Sequence, residues 1–257
     1  MSDTITTSLG KALALLDCFR DGQTELGVSD MARRVGIAKS SVHRLCAILV
    51  AGGHLEKTVR GQYRLGLKIF ELGGLVSTRV GIRQPASCFL EELAAASQQT
   101  AHLGILDEGE VVYVDKIETH GSRRTPTQVG SREPTYCTGI GKAMLAWAAP
   151  KDIERLLSRG LRKFTPYSIA SPQRLLDELT MVRATGLAHD REERVLGLAC
   201  IAAPVRDHRG EVVAAISVSG STAVLNEQRM AALSMKVKRV GAGLSRRLGW
   251  EPVGSAG

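Results

Sequence analysis

From Val28 to Gly66 the apolar positions first recur at helical spacing and then alternate. Met31, Ala32 and Val35 make one helical face, with Ser29 placed to cap its start and Gly36 suited to a left-handed exit. Val42, Leu45, Cys46 and Leu49 fall at i, i+3, i+4 and i+7 of a second helix running from Lys39 to Val50. Its other face carries Lys39, Ser40, His43, Arg44 and Ala47, small or hydrogen-bonding groups where a plain solvated helix would be rich in Glu and Lys. Gly52 and Gly53 end it. Leu55–Lys57 and Gln62–Leu65 then read as short strands around Arg60 and Gly61, which completes the outline of a winged helix-turn-helix. Upstream, Ser8 is placed to cap a scaffold helix with Leu9, Ala12, Leu13, Leu16 and Phe19 on one face, ended by Asp21-Gly22.

Beyond the hairpin, Leu67–Val80 is helical in period but interrupted by Gly73-Gly74, which suits a connector that bends. The domain boundary belongs near Arg79–Arg83, and a helix starting around Pro85 runs through Phe89, Leu90, Leu93 and Ala94 to Ser97. Two β-rich runs follow, AHLGILD and EVVYVDKIE, joined at Glu108-Gly109. After a polar stretch from Thr119 to Pro134, helices are expected over 140–149, 151–159 and 171–185. CIAAPVRD and VVAAISVSG make a second hairpin through Asp207–Gly210, and a long helix from Asn226 to Leu248 closes the chain. Hairpins separated by a helical block indicate an α+β domain with an antiparallel sheet. The expected division is 1–66 for the winged helix-turn-helix, 67–82 for a linker helix, 83–250 for the second domain and 251–257 for a flexible tail.

Charge sharpens this picture. Between Arg33 and Lys68 lie eight cations and one acid, Glu56, giving 8 − 1 = +7 out of a formal +8 for 257 residues. Such a cluster suits counterion release from phosphates. Aromatic residues are only 4%, too few for a surface that stacks single-stranded bases, so double-stranded DNA is the expected partner. No apolar run reaches membrane-spanning length and the N-terminus lacks a signal-peptide pattern, so a cytoplasmic protein is expected. Five scattered cysteines show neither a disulfide framework nor metal-ligand spacing, and no metal or cofactor is expected.

In the second domain, Gly139-Ile140-Gly141-Lys142 opens a helix, where free backbone N–H groups suit a small anion. The spacing is not that of a nucleotide-binding loop. Ser217 and Ser219 alternate with Ile216 and Val218, so their hydroxyls share one face of the sheet. Asp190 and Cys200 taken singly read as a turn acid and a core thiol. Ser8 to Lys11 matches a four-residue serine-acylase pattern without its companion motifs, and of the six histidines only His189, beside Asp190, invites a catalytic reading. No catalytic residue is assigned.

The runs MARRVGIAKSSVHRLCAILVAGGHLEK, GQYRLG, EVVYVDKIET, VGSREPTYCTGIGKAMLA, FTPYSI and CIAAPVRDHRGEVVAAISVSG, in this order, resemble the IclR family of bacterial transcriptional regulators. The resemblance implies a linker helix after the winged helix-turn-helix and a C-terminal GAF-like effector domain with a curved antiparallel sheet flanked by helices. It also implies a homodimer or a dimer of dimers, and control of catabolic genes by a small organic or aromatic acid. Carried over motif by motif, the effector would meet the amides of Gly139 and Ile140 and the side chains of Asp190, Cys200, Ser217 and Ser219. Where the family often has arginine before the cysteine, this chain has Ala199, and the wall segment Ser122–Glu133 is unusually polar. On the DNA side, Ser40, Ser41, His43 and Arg44 are expected at base edges or phosphates, and Lys39, Arg60 and Arg64 at phosphates. The rivals are an enzyme acting on a small acid and a thiol redox sensor using Cys137 or Cys200.

Overall fold

A computed structural model describes residues 7–20, 22–76, 81–119 and 127–251. The chain divides into two compact units, Met1–Thr78 and Arg79–Gly257.

In the first unit α1 (Ser8–Asp17), α2 (Val28–Val35) and α3 (Lys39–Ala51) close around Leu15, Phe19, Met31, Val42, Leu45 and Cys46. The hairpin β1 (Leu55–Lys57) and β2 (Tyr63–Leu65) adds Leu55 and Tyr63 to that core. Gly36 ends α2 at φ 73°, the left-handed exit its position demands. The helix starts differ from expectation by one or two residues. Thr7 rather than Ser8 caps α1, its hydroxyl accepting from the Gly10 N–H, and Gly27 rather than Ser29 is the cap of α2. The packed face of α1 also differs: Ala12, Leu15, Leu16 and Phe19 form the inward stripe, while Leu9 and Leu13 are 71% and 52% exposed. Both stripes have helical spacing, and the one containing Leu15 is selected by its contact with the other helices. After the wing, α4 (Leu67–Gly74) buries none of its residues within the chain. Residues 77–80 of the expected linker, Arg79 included, lie outside the described residues.

The second unit is built on one six-stranded antiparallel sheet with strand order β5-β4-β3-β8-β7-β6. Its strands are β3 (Thr100–Asp107), β4 (Glu110–Ile117), β5 (Arg132–Pro134), β6 (Ala188–Arg191), β7 (Leu198–Arg206) and β8 (Val212–Ser221). One face packs Leu103, Ile201 and Ile216 against α5 (Arg83–Ser97) and the long α9 (Glu227–Arg247), through Leu90, Leu93, Val237 and Leu244. The other face carries Tyr113, Ala202 and Ala215 under α6 (Gly139–Leu145), α7 (Pro150–Ser158) and α8 (Pro172–Thr185). The sheet is curved, and the architecture is α+β as expected.

Two strands were not anticipated. β5 and β6 are short and read REP and AHDR, so neither shows apolar alternation; their partners β4 and β7 define them. The α6 helix stops at Leu145 instead of Ala149, because Pro150 opens α7 and holds Ala149 extended at ψ 144°. Residues 120–126, including Arg123, Arg124 and Thr125 of the polar wall segment, and residues 252–257 of the expected tail lie outside the described residues.

Candidate functional site

On the first unit, buried Val42, Leu45 and Cys46 fix α3 by one side and turn the other outward. Lys39, Ser40, His43 and Arg44 are exposed there and Ser41 is half-buried; Arg60 is exposed at the wing tip. Among the described residues none of these six side chains has a hydrogen bond or ion pair. Four other cations of the cluster, Arg33, Arg34, Arg64 and Lys68, are engaged, while Lys57 is exposed and has no partner among the described residues. Arg64 pairs across the hairpin with Glu56 at 2.7 Å, in the register Glu56↔Arg64, so its charge is partly neutralised. Arg34 donates to the Cys18 carbonyl at 2.7 Å and to Gln23 Oε1 at 2.8 Å, which gives it a structural use. Ile48, one turn after Arg44, is 62% exposed, a large apolar group off the buried stripe that the periodicity alone did not mark. The positive excess is also not confined to this unit: α9 carries six cations against Glu227, 6 − 1 = +5.

On the second unit, strand register assembles a polar floor. Asp190 is opposite Cys200, Cys200 opposite Ser219, and Ser219 opposite Thr100, so the four share one face; two residues along, Ala202, Ser217 and His102 form the next row. Above this floor is a cleft of about 470 Å³, part of it open to solvent, lined by Tyr113, Thr127, Glu133, Gly139, Asp190 and Arg194 among others. Cys200 and Ser219 line it too, whereas Ser217 lies fully buried beneath it and its hydroxyl has no conventional hydrogen-bond partner among the described residues. Both serine hydroxyls favour the ionised form of Cys200, but burial first and Asp190 second push that thiol up to about 11.

The glycines bring α6 onto the floor. A Cβ on Gly139 would stand 2.8 Å from Cys200 Sγ, and one on Gly141 would stand 2.3 Å from the Thr135 carbonyl oxygen, closer than any side chain allows. Thr138 caps the helix: its hydroxyl accepts from Gly141 N–H at 3.2 Å, and its carbonyl accepts from Lys142 N–H at 2.9 Å. Among the described residues the N–H groups of Gly139 and Ile140 have no acceptor. Ile140 itself is buried, its side chain packed close to Gly104.

Several site residues escaped the sequence. His102 Nε2 shares a hydrogen bond with Thr127 Oγ1 at 2.7 Å, and burial, then Lys116, pushes its pKa down to about 3, so it is neutral. Lys142, beside the glycines, does not face an anion site. It is fully buried between Glu193 Oε1 at 2.6 Å and Glu178 Oε1 at 2.9 Å. Burial alone would lower its pKa, and the two carboxylates outweigh burial and raise it. Asp190 accepts from Glu193 N–H at 2.8 Å; burial and then Glu193 push its pKa up to about 7, against Lys142 and the backbone donors. His189 is half-buried, its pKa lowered by burial and then by Arg191, and among the described residues it holds no serine or cysteine by a hydrogen bond. Cys137 is buried and its thiol is pushed up, chiefly by burial, which disfavours the thiolate a redox sensor needs.

The family model for the bacterial transcriptional regulator IclR C-terminal domain matches residues 75–246, and that for the IclR helix-turn-helix domain matches residues 8–58. The chain belongs to the IclR family. It is 37% identical over 248 residues to the HTH-type transcriptional regulator XynR of Escherichia coli, covering 96% of this chain and 98% of that one. It is also 37% identical over 229 residues to BhcR of Paracoccus denitrificans, covering 88% of this chain and 82% of that regulator. Among solved structures it resembles the Thermotoga maritima IclR at 31% identity and TM-score 0.78, covering 95% of this chain and 99% of that one. An IclR homologue from Microbacterium hydrocarbonoxydans, solved with 4-hydroxybenzoate, matches at 25% identity and TM-score 0.85 over 94% and 99% of the two chains. This IclR-family chain is thus a transcriptional regulator with a DNA-binding and a ligand-binding domain, and not an enzyme. No helix among the described residues is long and apolar enough to cross a membrane.

Proposed function

We propose that this protein is a cytoplasmic, sequence-specific regulator of catabolic genes whose operator affinity is set by a small organic or aromatic acid bound in the second domain. The observation that carries the effector half is the meeting of Gly139, Asp190, Cys200 and Ser219 in one cleft, at a helix start where the N–H groups of Gly139 and the adjoining Ile140 have no acceptor among the described residues. The amides and the Ser219 hydroxyl bind the carboxylate, Asp190 contributes a hydrogen bond, and Ser217 and Cys200 shape the floor. On the DNA side, Ser40, Ser41, His43 and Arg44 read base edges near the start of α3, Ile48 adds an apolar contact, and Lys39 and Arg60 hold phosphates with Arg64 in support. A second copy of the chain covers the exposed apolar side chains of α1, of α4 and of the residue after it, Leu9, Leu13, Leu67, Phe70 and Leu75, and presents two reading helices to a palindromic operator.

The test is a thermal-shift screen of small aliphatic, hydroxylated and aromatic acids on wild type and Ser217→Ala in parallel. A compound present at about 100 times its dissociation constant stabilises the wild type by roughly 2.7 kcal/mol. The expected result is a hit weakened by Ser217→Ala that also changes operator binding by the wild type, since the coupling is reciprocal. A hit with equal effect on both proteins, or none on operator binding, overturns this reading of the cleft.

A further inference from the structure

Glu133 and Arg194 stand together in the cleft with their hydrogen-bonding capacity only partly used. Glu133 comes from β5 and Arg194 from the turn after β6; both line the cleft, and Arg194 Nε donates to Glu133 Oε2 at 2.5 Å. Phe164 lies against the guanidinium, its ring centroid 4.3 Å from Arg194 Cζ, and so restrains it from a second side. The side chains are 17% and 32% exposed. That contact leaves Glu133 Oε1 and both Nη groups of Arg194 without a partner among the described residues.

A carboxylate only accepts hydrogen bonds and a guanidinium only donates them. Side by side they match a hydroxyl group, which does both, and they match two neighbouring hydroxyls better still. An aromatic edge or a methylene placed there would take water from both charges and replace none of its hydrogen bonds. The pair is also electrically balanced, so it adds no net attraction for an acid group. Its selectivity is therefore for the tail of a ligand and not for its carboxylate head. Nearby lining groups are polar too, with Thr127 bound to His102 and Ser219 on the floor, while the Thr138 hydroxyl is used between the Pro134 carbonyl and Gly141 N–H.

We propose that Glu133 and Arg194 are the specificity-determining pair of this cleft and bind vicinal hydroxyls of a non-aromatic hydroxy acid. The proposal rests on the effector reading above and narrows it. Isothermal titration of the full chain with glycerate, threonate, gluconate and benzoate tests it, on wild type, on Glu133→Gln and on the double variant Glu133→Leu/Arg194→Leu. At least one hydroxy acid should bind wild type about tenfold or more tightly than benzoate. Glu133→Gln should weaken that hydroxy acid by about tenfold and leave the melting temperature and benzoate binding unchanged. The double variant should lose the preference for hydroxylated tails; if it does not fold, Glu133→Gln carries the test. Benzoate binding wild type as well as the hydroxy acids do, or a preference kept in Glu133→Gln, overturns the role of the pair alone. Failure of all four acids to bind wild type overturns the effector reading with it.

Discussion

Arg44 on α3, a helix pinned by one buried stripe, and Lys142 on α6, a helix buried on every side, are both cations, and their surroundings are opposite. Arg44 is exposed and has no partner among the described residues, whereas Lys142 is fully buried between Glu178 and Glu193. The contrast extends to each unit. The polar face of α3 is left uncommitted, as a surface must be if binding a polyanion is to exchange small counterions for protein cations. The side chains that shape the cleft, among them His102, Asp190, Glu133 and Arg194, are each held by at least one partner before a ligand arrives, so less conformational freedom is lost when a small molecule binds. A substitution in the first setting should therefore alter binding and spare the fold, whereas removing a fully buried partner such as Lys142 should threaten the fold.

The largest effect is expected at Lys142. Lys142→Met keeps the volume and removes the charge, leaving buried Glu193, whose Oε2 lacks a partner among the described residues, and the partly exposed Glu178 to repel each other. Breaking a buried pair in this way costs about 3–5 kcal/mol. Urea denaturation of the full chain should show that loss in the second unit, while operator binding at low temperature by the folded fraction is retained. A cost under about 1 kcal/mol would mean the two carboxylates simply take up protons, and the contrast with Arg44 would fail.

A smaller effect, of a different kind, is expected on the DNA side. Arg44→Ala should reduce discrimination at one operator position by about 1–3 kcal/mol, while Arg60→Ala should weaken all sequences alike and lower the slope of log affinity against log salt by about 1. Neither should move the melting temperature, because neither side chain has a partner to lose. A position-specific loss at Arg60 would exchange the roles of helix and wing.

How far each half could be read in advance follows from the same contrast. The reading head was legible because its evidence is local: Val42, Leu45 and Cys46 at helical spacing fix which residues of α3 face outward. Even so, the same rule chose Leu9 and Leu13 on α1 where Leu15 packs, since two stripes on that helix satisfy the spacing and only the neighbouring helices decide between them. In the cleft, alternation gave the shared face of Ser217 and Ser219, and the family resemblance brought in Asp190 and Cys200. The resemblance could not supply the register that puts Asp190 beside Cys200, nor the meeting of Glu133 of β5 with Arg194 of the turn after β6, which lies over Phe164. Glu133 and Arg194 are separated by 61 positions, and nothing in either neighbourhood points to the other. Lys142 was the most misleading residue. A lysine after two glycines suggests an anion site, and its burial between carboxylates depends on α8 and the turn after β6.

The subtlest way to separate committed from uncommitted groups is to titrate the cleft. Asp190, with a pKa raised to about 7, is the cleft group poised to change charge near neutrality. His102, pushed down to about 3, stays neutral there, and the Cys200 thiol, pushed up to about 11, stays protonated. The charges facing Asp190 are Glu193 and Lys142, which remain paired with each other. A carboxylate arriving at Gly139 and Ile140 adds negative charge beside Asp190 and raises its pKa further, so the complex holds a proton that the free protein loses above pH 7. Affinity for an acid should then be level below about pH 6 and fall with rising pH above 7, approaching a limit of about tenfold per unit. Titration calorimetry in buffers of different ionisation enthalpy should register the proton taken up. Asp190→Asn, which keeps the shape and the acceptor for Glu193 N–H, should flatten the profile and bind at high pH as the wild type does at low pH. Affinity that rises with pH, or a slope that survives in Asp190→Asn, would place the titrating group elsewhere and leave Asp190 as an ionised partner of the ligand's hydroxyls.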